Sequence, residues 1–174
     1  MRIAFSGWLL AVVATASQTA CVKPQPSAQV FGLGEKVQVG PLIYSVFDAE
    51  WSPQIGRGEQ ARLPSQRFLT IHLTVTNGGA ETLAVPSLRL LDEAGHLYSE
   101  SMDGQNVTSW LGMIRNVKPV ETLEGNILFD VEPKSYKLKL NDDADAGRPA
   151  LVEMPLRFGL DRPAVPSALD RPPQ

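Results

Sequence analysis

Cysteine and histidine are scarce in this sequence: Cys21 is the only cysteine among 174 residues, and His72 and His96 are the only histidines. A single thiol cannot form an intramolecular disulfide, so a disulfide framework is excluded. Zinc sites need three or four ligands, and the two histidines lie far apart in sequence. We therefore expect no metal site and no cofactor.

Long apolar runs and an excess of basic residues are also lacking. The apolar run of residues 8–16 is far shorter than the roughly 20 residues that a spanning helix requires. Without residues 1–20, which contain Arg2, the chain has 15 basic and 19 acidic residues, a net charge of −4. This balance, with no basic stripe, argues against a nucleic-acid partner.

The N-terminus has the order of regions found in a secretory signal. Arg2 precedes the apolar run, and small or polar residues follow it, which predicts a signal peptide over residues 1–20. Thr19, Ala20 and Cys21 also match the end of a bacterial lipoprotein signal, in which the cysteine receives diacylglycerol. We predict lipidation of Cys21, an extracytoplasmic location, and a membrane partner held through that lipid.

Other ways of processing the leader stay open. Gln18 stands where lipoprotein signals usually have leucine, so ordinary cleavage after Ala16 or Ala20, giving a secreted or periplasmic protein, competes with lipidation. A retained anchor and a cytoplasmic protein are less favoured. Residues 21–29 contain two prolines and read as an extended polar linker, which suits a tether.

Alternating apolar and polar residues dominate residues 30–159. In the clearest stretch, RFLTIHLTVTN, Leu69, Ile71, Leu73 and Val75 face one way and mixed side chains face the other. This period of two predicts a strand with one face on a core. Similar short runs recur between Gly, Pro, Asn and Asp, which is typical of an all-β domain.

The predicted fold is an antiparallel immunoglobulin-like β-sandwich of about seven to eight strands over residues 30–159. Its core rests on aliphatic and aromatic packing, because the cysteine pair of antibody domains is absent. Trp51 is predicted to end a core strand, and residues 52–66 to form a long exposed loop. The proline-rich residues 160–174 have no apolar periodicity and are predicted to be a disordered tail.

Ordered motifs add a family resemblance. The chain has G-x-x-V-x-V-G-x-L-x-Y-x-V from residue 34, then F-L-x-I-x-L-x-V-x-N, L-x-D-x-x-G-x-x-Y, G-x-I-x-F-D-V and Y-x-L-x-L. In this order they resemble a bacterial family of secreted or lipid-anchored immunoglobulin-like domains of unknown function, related to the immunoprotective extracellular protein group. The resemblance covers nearly all of residues 30–158. It implies a β-sandwich outside the cytoplasm, compatible with a binding or adhesion module, and it implies no catalytic residues.

The acidic run of residues 141–147, NDDADAG, is a candidate calcium loop. Asn141, Asp143 and Asp145 alternate as oxygen ligands do, but an EF-hand needs glycine at position six and glutamate at position twelve, where this chain has alanine and valine. We interpret the run as a polar turn, with loose calcium binding between sandwich loops as the alternative.

Residues 102–121 are the least strand-like part of the chain. They include Trp110, Met113 and Arg115, and tryptophan, methionine and arginine are enriched at protein interfaces. One hypothesis is a loop that binds an unidentified envelope protein. The alternative is that Trp110 and Ile114 fold inward and cap an open end of the sandwich.

No catalytic motif accompanies these features, since the sequence has no G-x-S-x-G elbow that would mark a hydrolase nucleophile. The sequence therefore predicts a cell-envelope lipoprotein that is not an enzyme and binds a protein or envelope component. The competing hypothesis is a ligand-free structural or accessory domain of the envelope.

Overall fold

The structure is a computed structural model that describes residues 28–141 and 150–156. The predicted signal peptide (1–20), Cys21, nearly all of the linker, the tail (160–174) and the acidic run after Asn141 lie outside these described residues.

The described part of the chain consists of short strands and one turn of 3-10 helix. The strands are β1 (Gln29–Phe31), β2 (Lys36–Val39), β3 (Leu42–Ser52), β4 (Phe68–Asn77), β5 (Leu83–Ala84), β6 (Arg89–Leu91), β7 (Leu97–Ser99), β8 (Asn116–Val117), β9 (Thr122–Asp130), β10 (Tyr136–Leu140) and β11 (Ala150–Met154), with the 3-10 turn at Gly58–Gln60.

Two sheets pack face to face, which confirms the predicted β-sandwich. One sheet has the order β1-β11-β10-β6-β7, in which β1 pairs with β11 in parallel and the other pairs are antiparallel. The second sheet is antiparallel, with the order β2-β3-β4-β9, and β5 and β8 form a separate two-stranded ribbon. The strand count exceeds the expected seven to eight because several strands have only two or three residues.

The core lies between the sheets and is built by alternation along the strands. In β4, Leu69, Ile71, Leu73 and Val75 are all buried, as the period of two predicts. They pack in one cluster with side chains from β10 and β11 of the other sheet, such as Leu138. Residues 28–141 and 150–156 contain no cysteine. The core that they form therefore rests on apolar packing and not on a disulfide.

A β-bulge in β3 changes which side chains face the core. The register shifts between Val46 and Asp48, so Phe47 is an extra residue on this strand. Uninterrupted alternation would point Asp48 the same way as Val46, towards the core. The bulge instead turns Ala49 and Trp51 inward and leaves Asp48 exposed. Trp51 ends a core strand, in line with the sequence prediction.

The loop after β3 is less exposed than its composition suggests. Ile55 is only 8% exposed and packs with Phe68 and Leu128 in a second apolar cluster. Its backbone pairs with Arg62, which folds the loop back on itself. The glycines and prolines of residues 52–66 correctly indicate a loop. They give no sign that Ile55 attaches this loop to the outer face of the second sheet.

The two ends of the sandwich carry different features. At one end, here called the N-terminal end, Gln29 pairs with Ala150, and the Tyr44 hydroxyl donates to the carbonyl oxygen of Asn141 (2.7 Å); Asn77 lies at this end of the second sheet. At the opposite end, called the groove end, the rings of Trp51 and Tyr136 lie 6.3 Å apart.

Candidate functional site

A groove of about 900 Å³ runs along the outer face of the first sheet towards the groove end. It is bounded by the residues that follow β1, the turn between β6 and β7, the start of β10, and β11 from Leu151 onward. Its lining is Gly32, Leu33, Leu91, Asp92, Glu93, Gly95, Ser135, Tyr136, Lys137, Leu151, Glu153, Met154 and Pro155. Leucine and methionine side chains thus adjoin carboxylates and a lysine, a mixture that suits binding of a partly apolar ligand.

The wall of the groove is fixed by Asp92 at the end of β6. Its carboxylate accepts hydrogen bonds from the backbone N–H of His96 (2.8 Å), the Tyr98 hydroxyl (3.0 Å) and the Lys134 ammonium (3.0 Å). Gly95 has a φ of 88°, which lets the chain turn between β6 and β7 and bring His96 back to the carboxylate. Asp92 therefore joins this turn to the turn between β9 and β10.

Asp92 and Lys134 of this cluster are held in their charged forms. Burial favours the neutral form of Asp92, but the hydrogen bonds from His96, Lys134 and Tyr98 outweigh it and hold the pKa of Asp92 well below its usual range. Hydrogen bonds to Asp92 and Tyr98 raise the pKa of Lys134 above its usual range. Burial raises the pKa of Tyr136 to about 12, against the opposing effect of Lys134.

Such pKa values suit a structural role. General acid-base catalysis is most efficient when the catalytic pKa lies near the working pH. Asp92 and Lys134 are displaced in the directions that keep each of them charged. The Lys134 ammonium also lies 5.3 Å and 5.5 Å from the ring centres of Tyr98 and Tyr136, whose rings meet edge to face. The cluster orders the groove wall and ties it to the core.

The predicted loop lies along the free edge of β9. The backbone N–H of Leu111 donates to Asn126 (3.0 Å), and the N–H of Asn126 donates to Ser109 (2.9 Å). The half-buried indole of Trp110 lies against Gly104, where an added Cβ would come within 1.8 Å of the ring. The loop therefore covers a sheet edge, a common protection against unwanted strand pairing, whereas the sequence indicated a plug at an open end.

Arg115 is placed differently from the expectation of a displayed side chain. It is only 3% exposed, and its guanidinium binds the Glu100 carboxylate and the Gly112 carbonyl. Met113 is half-buried, and Ile114, which the alternative hypothesis turns inward, is 89% exposed. The loop therefore presents Ile114 and not Arg115, and its binding of a partner stays a prediction.

The histidines lie in separate places. His72 is on the outer face of the second sheet, with Nδ1 3.1 Å from the side-chain oxygen of Asn126 and Nε2 3.3 Å from Glu124. His96 is beside Asp92 at the groove end. Within residues 28–141 and 150–156, no three His, Cys, Asp or Glu side chains are grouped as metal ligands. The described residues likewise contain no helix long and apolar enough to span a membrane.

The groove was not identified from the sequence, although part of its wall is visible there. The motif L-x-D-x-x-G-x-x-Y contains Asp92, Gly95 and Tyr98, and the spacing marks a turn with an acceptor and a donor. Lys134 is 42 residues away from Asp92 in the chain. Nothing local to Lys134 indicates its partner, because only the pairing of β6 with β10 brings the two turns together.

The two sheets, their order and their shared core define an immunoglobulin-like β-sandwich domain. The chain belongs to the family described as Domain of unknown function (DUF4352), which matches residues 31–148. No curated protein sequence is similar enough to this chain to match it.

Solved structures with the same fold come from several bacteria. The yjhA protein from Bacillus subtilis is 17% identical with a TM-score of 0.55, covering 71% of this chain and 98% of its own. A putative lipoprotein, ycdA, from Bacillus subtilis is 14% identical (TM-score 0.54; 70% of this chain, 38% of its own). The secreted protein MPT63 from Mycobacterium tuberculosis is 16% identical (TM-score 0.51; 75% and 100%). At these identities the likeness shows the fold alone.

Proposed function

We propose that this protein is a lipoprotein of the bacterial cell envelope whose domain binds a protein or another envelope component without catalysing a reaction. One observation carries the proposal: the first strand begins at one end of the sandwich, and most of the groove lining lies towards the other. A lipid on Cys21 would therefore fasten the domain at the end of the sandwich opposite most of this lining, which leaves the groove accessible to a partner.

The extracytoplasmic location is supported by the leader and by proteins of the same fold. One of those is described as a putative lipoprotein and another as a secreted protein. A relation to the immunoprotective extracellular protein group remains part of this proposal and rests on the ordered motifs. Binding is favoured over catalysis because Asp92 and Lys134, which order the groove wall, have pKa values displaced in the directions that keep each of them charged.

The anchor is tested by metabolic labelling with a fatty-acid probe. We expect the wild-type chain to incorporate the probe and Cys21→Ala to lose it, with the variant released into the soluble fraction. A C-terminal affinity tag would show equal amounts of both chains. Equal labelling of both chains, or none of either, would end the anchor part of the proposal and favour plain secretion.

The groove is tested by photo-crosslinking in intact cells. A photoreactive residue replaces Glu93 in the groove, Glu124 on the outer face of the other sheet, or Ile114 in the loop. All three positions are exposed. We expect a discrete adduct at position 93 that Leu91→Lys reduces. An adduct at 114 alone would move the binding site to the loop, and no adduct at any position would favour the ligand-free accessory domain.

A further inference from the structure

The turn between β8 and β9 is held rigidly. The backbone N–H of Glu121 donates to the carbonyl of Lys118 (3.0 Å), and the Glu121 carboxylate accepts from the N–H of Lys118 (2.8 Å). The N–H of Val120 donates to the carbonyl of Asn77 (2.9 Å) at the end of β4. Four residues are thus fixed in one conformation by three hydrogen bonds.

Val120 has an unfavourable backbone and an unfavourable environment in this turn. Its φ is 64°, and Pro119 precedes it, which is the arrangement of a type II turn whose third position favours glycine or asparagine. A β-branched residue with positive φ is a genuine outlier. The side chain is also 86% exposed, so it gains little from burial within the domain. Strain kept at an exposed apolar residue points to a contact outside the domain.

The position of the turn indicates what that contact is. Asn77, which holds Val120, pairs with Leu42 at the N-terminal end, the same end at which Gln29 begins β1. Eight residues lead from Cys21 to Gln29, and an extended chain spans at most about 3.6 Å per residue. A lipid on Cys21 therefore keeps this end within about 29 Å of the bilayer.

We propose that the turn of Pro119 and Val120 is the contact of this domain with the lipid surface. The inference rests on the anchor of the proposed function. Val120 enters the boundary between headgroups and acyl chains, the region in which the apolar faces of interfacial helices are buried. Lys118 is offset by Glu121 within the turn, and Glu81 lies close by, since its carbonyl accepts from the Asn77 side chain (2.7 Å). The contact is therefore apolar and needs no anionic lipid.

The experiment uses the mature lipidated chain in vesicles of phosphatidylcholine and phosphatidylethanolamine. Val120→Cys carries an environment-sensitive fluorophore, and the lipid on Cys21 leaves this as the only free thiol. Leu63→Cys is the matched control, because Leu63 is 74% exposed and lies in the loop that follows β3 at the groove end. Unfolding midpoints of both variants verify the fold.

We expect blue-shifted, several-fold brighter emission and quenching by a lipid-borne quencher at position 120, and none of these at position 63. The signal should not change when anionic lipid is added. Equal signals at the two positions, or a signal that appears only with anionic lipid, would overturn the apolar contact.

Failure of the anchor is measured separately, by flotation of the chain with vesicles and by the mass of its N-terminal peptide. If Cys21 carries no lipid, a hexahistidine segment in place of residue 21, held on a nickel-chelating lipid, tethers the same end of the domain. A signal at position 120 on that tether supports the contact although the anchor has failed. Its absence on both tethers rejects the contact.

Discussion

Single residues determine how the loop over β9 packs against the sheet. Among them, Gly104 leaves the least room for a side chain. Its Cα lies so close to the Trp110 indole that any side chain displaces the ring. We expect Gly104→Ala to lower the free energy of unfolding by about 1–3 kcal/mol, as overpacking does. Urea unfolding gives the value, and a red shift of the tryptophan emission reports exposure of the ring.

The matched control for Gly104 is Gly32→Ala. A Cβ at Gly32 would meet only the end of the flexible Glu35 side chain, at 3.2 Å. We expect that variant to unfold at nearly the wild-type urea concentration. Equal effects of the two substitutions would show that Trp110 does not rest on Gly104.

The buried ion pair of Arg115 and Glu100 also depends on single residues for its contribution to stability. Both side chains are fully buried, and Glu100 also accepts from the backbone N–H of Leu88 (2.6 Å). Removing one member leaves the other as an unpaired buried charge, so we expect Arg115→Met to lower the free energy of unfolding by about 3–5 kcal/mol. A double-mutant cycle with Glu100→Gln measures the coupling. Additive losses would contradict the pairing.

The positive φ of Val120 also leads to a prediction about stability. Asparagine tolerates positive φ, so Val120→Asn should raise the free energy of unfolding by about 1 kcal/mol, the order of the penalty for an L-residue in that region. Ile114→Asn, at an equally exposed position where φ is not positive, should change it by less than about 0.5 kcal/mol. A decrease in the Val120 variant would mean that the turn is not strained.

At the scale of elements, hydrogen bonds between turns that are distant in the chain contribute to the stability of the domain. Asp92 after β6 is held by Lys134 before β10, and the pKa of Asp92 lies well below its ordinary value of 3.8. A carboxyl whose folded pKa is depressed stabilises the fold above its unfolded pKa, and that contribution is lost as the pH falls towards the folded pKa. The pair of Asp92 and Lys134 should therefore stabilise the fold at neutral pH, and this contribution should decrease in acid.

We accordingly expect Asp92→Asn to be less stable than wild type at pH 7, with a difference that shrinks steadily below about pH 4, near the unfolded pKa of aspartate. Thermal unfolding at a series of pH values measures it. Glu93→Gln, in the same turn but exposed, is the control and should follow the wild type. A difference that grows as the pH falls would contradict the assigned direction.

Most elements follow from the sequence, and the bulge in β3 shows why some of their details do not. Tyr44 and Val46 face the core as their alternation predicts, whereas Asp48 does not. A period of two has no signal for an extra residue. The bulge exists because burying Ala49 and Trp51 is more favourable than burying Asp48, a comparison that involves the opposing sheet.

At the scale of the whole molecule, one apolar cluster includes residues of both sheets, and Tyr44 and Trp51 lie in it at opposite ends. We expect the domain to unfold in a single transition, because neither sheet can expose its inner face while the other stays folded. Far-ultraviolet circular dichroism and tryptophan fluorescence should give the same midpoint in urea. Separate midpoints would indicate that the sheets unfold independently.

The sequence by itself determined the β-sandwich fold, the strand within residues 67–79 and the resemblance to a family of unknown function, because alternation and turn residues act between near neighbours. Only the tertiary structure decided that Arg115 is buried, that Ile114 is exposed and that Lys134 meets Asp92. Each of these depends on contacts between segments distant in the chain. Such contacts depend on how distant strands pair, and no local pattern in the sequence indicates that pairing.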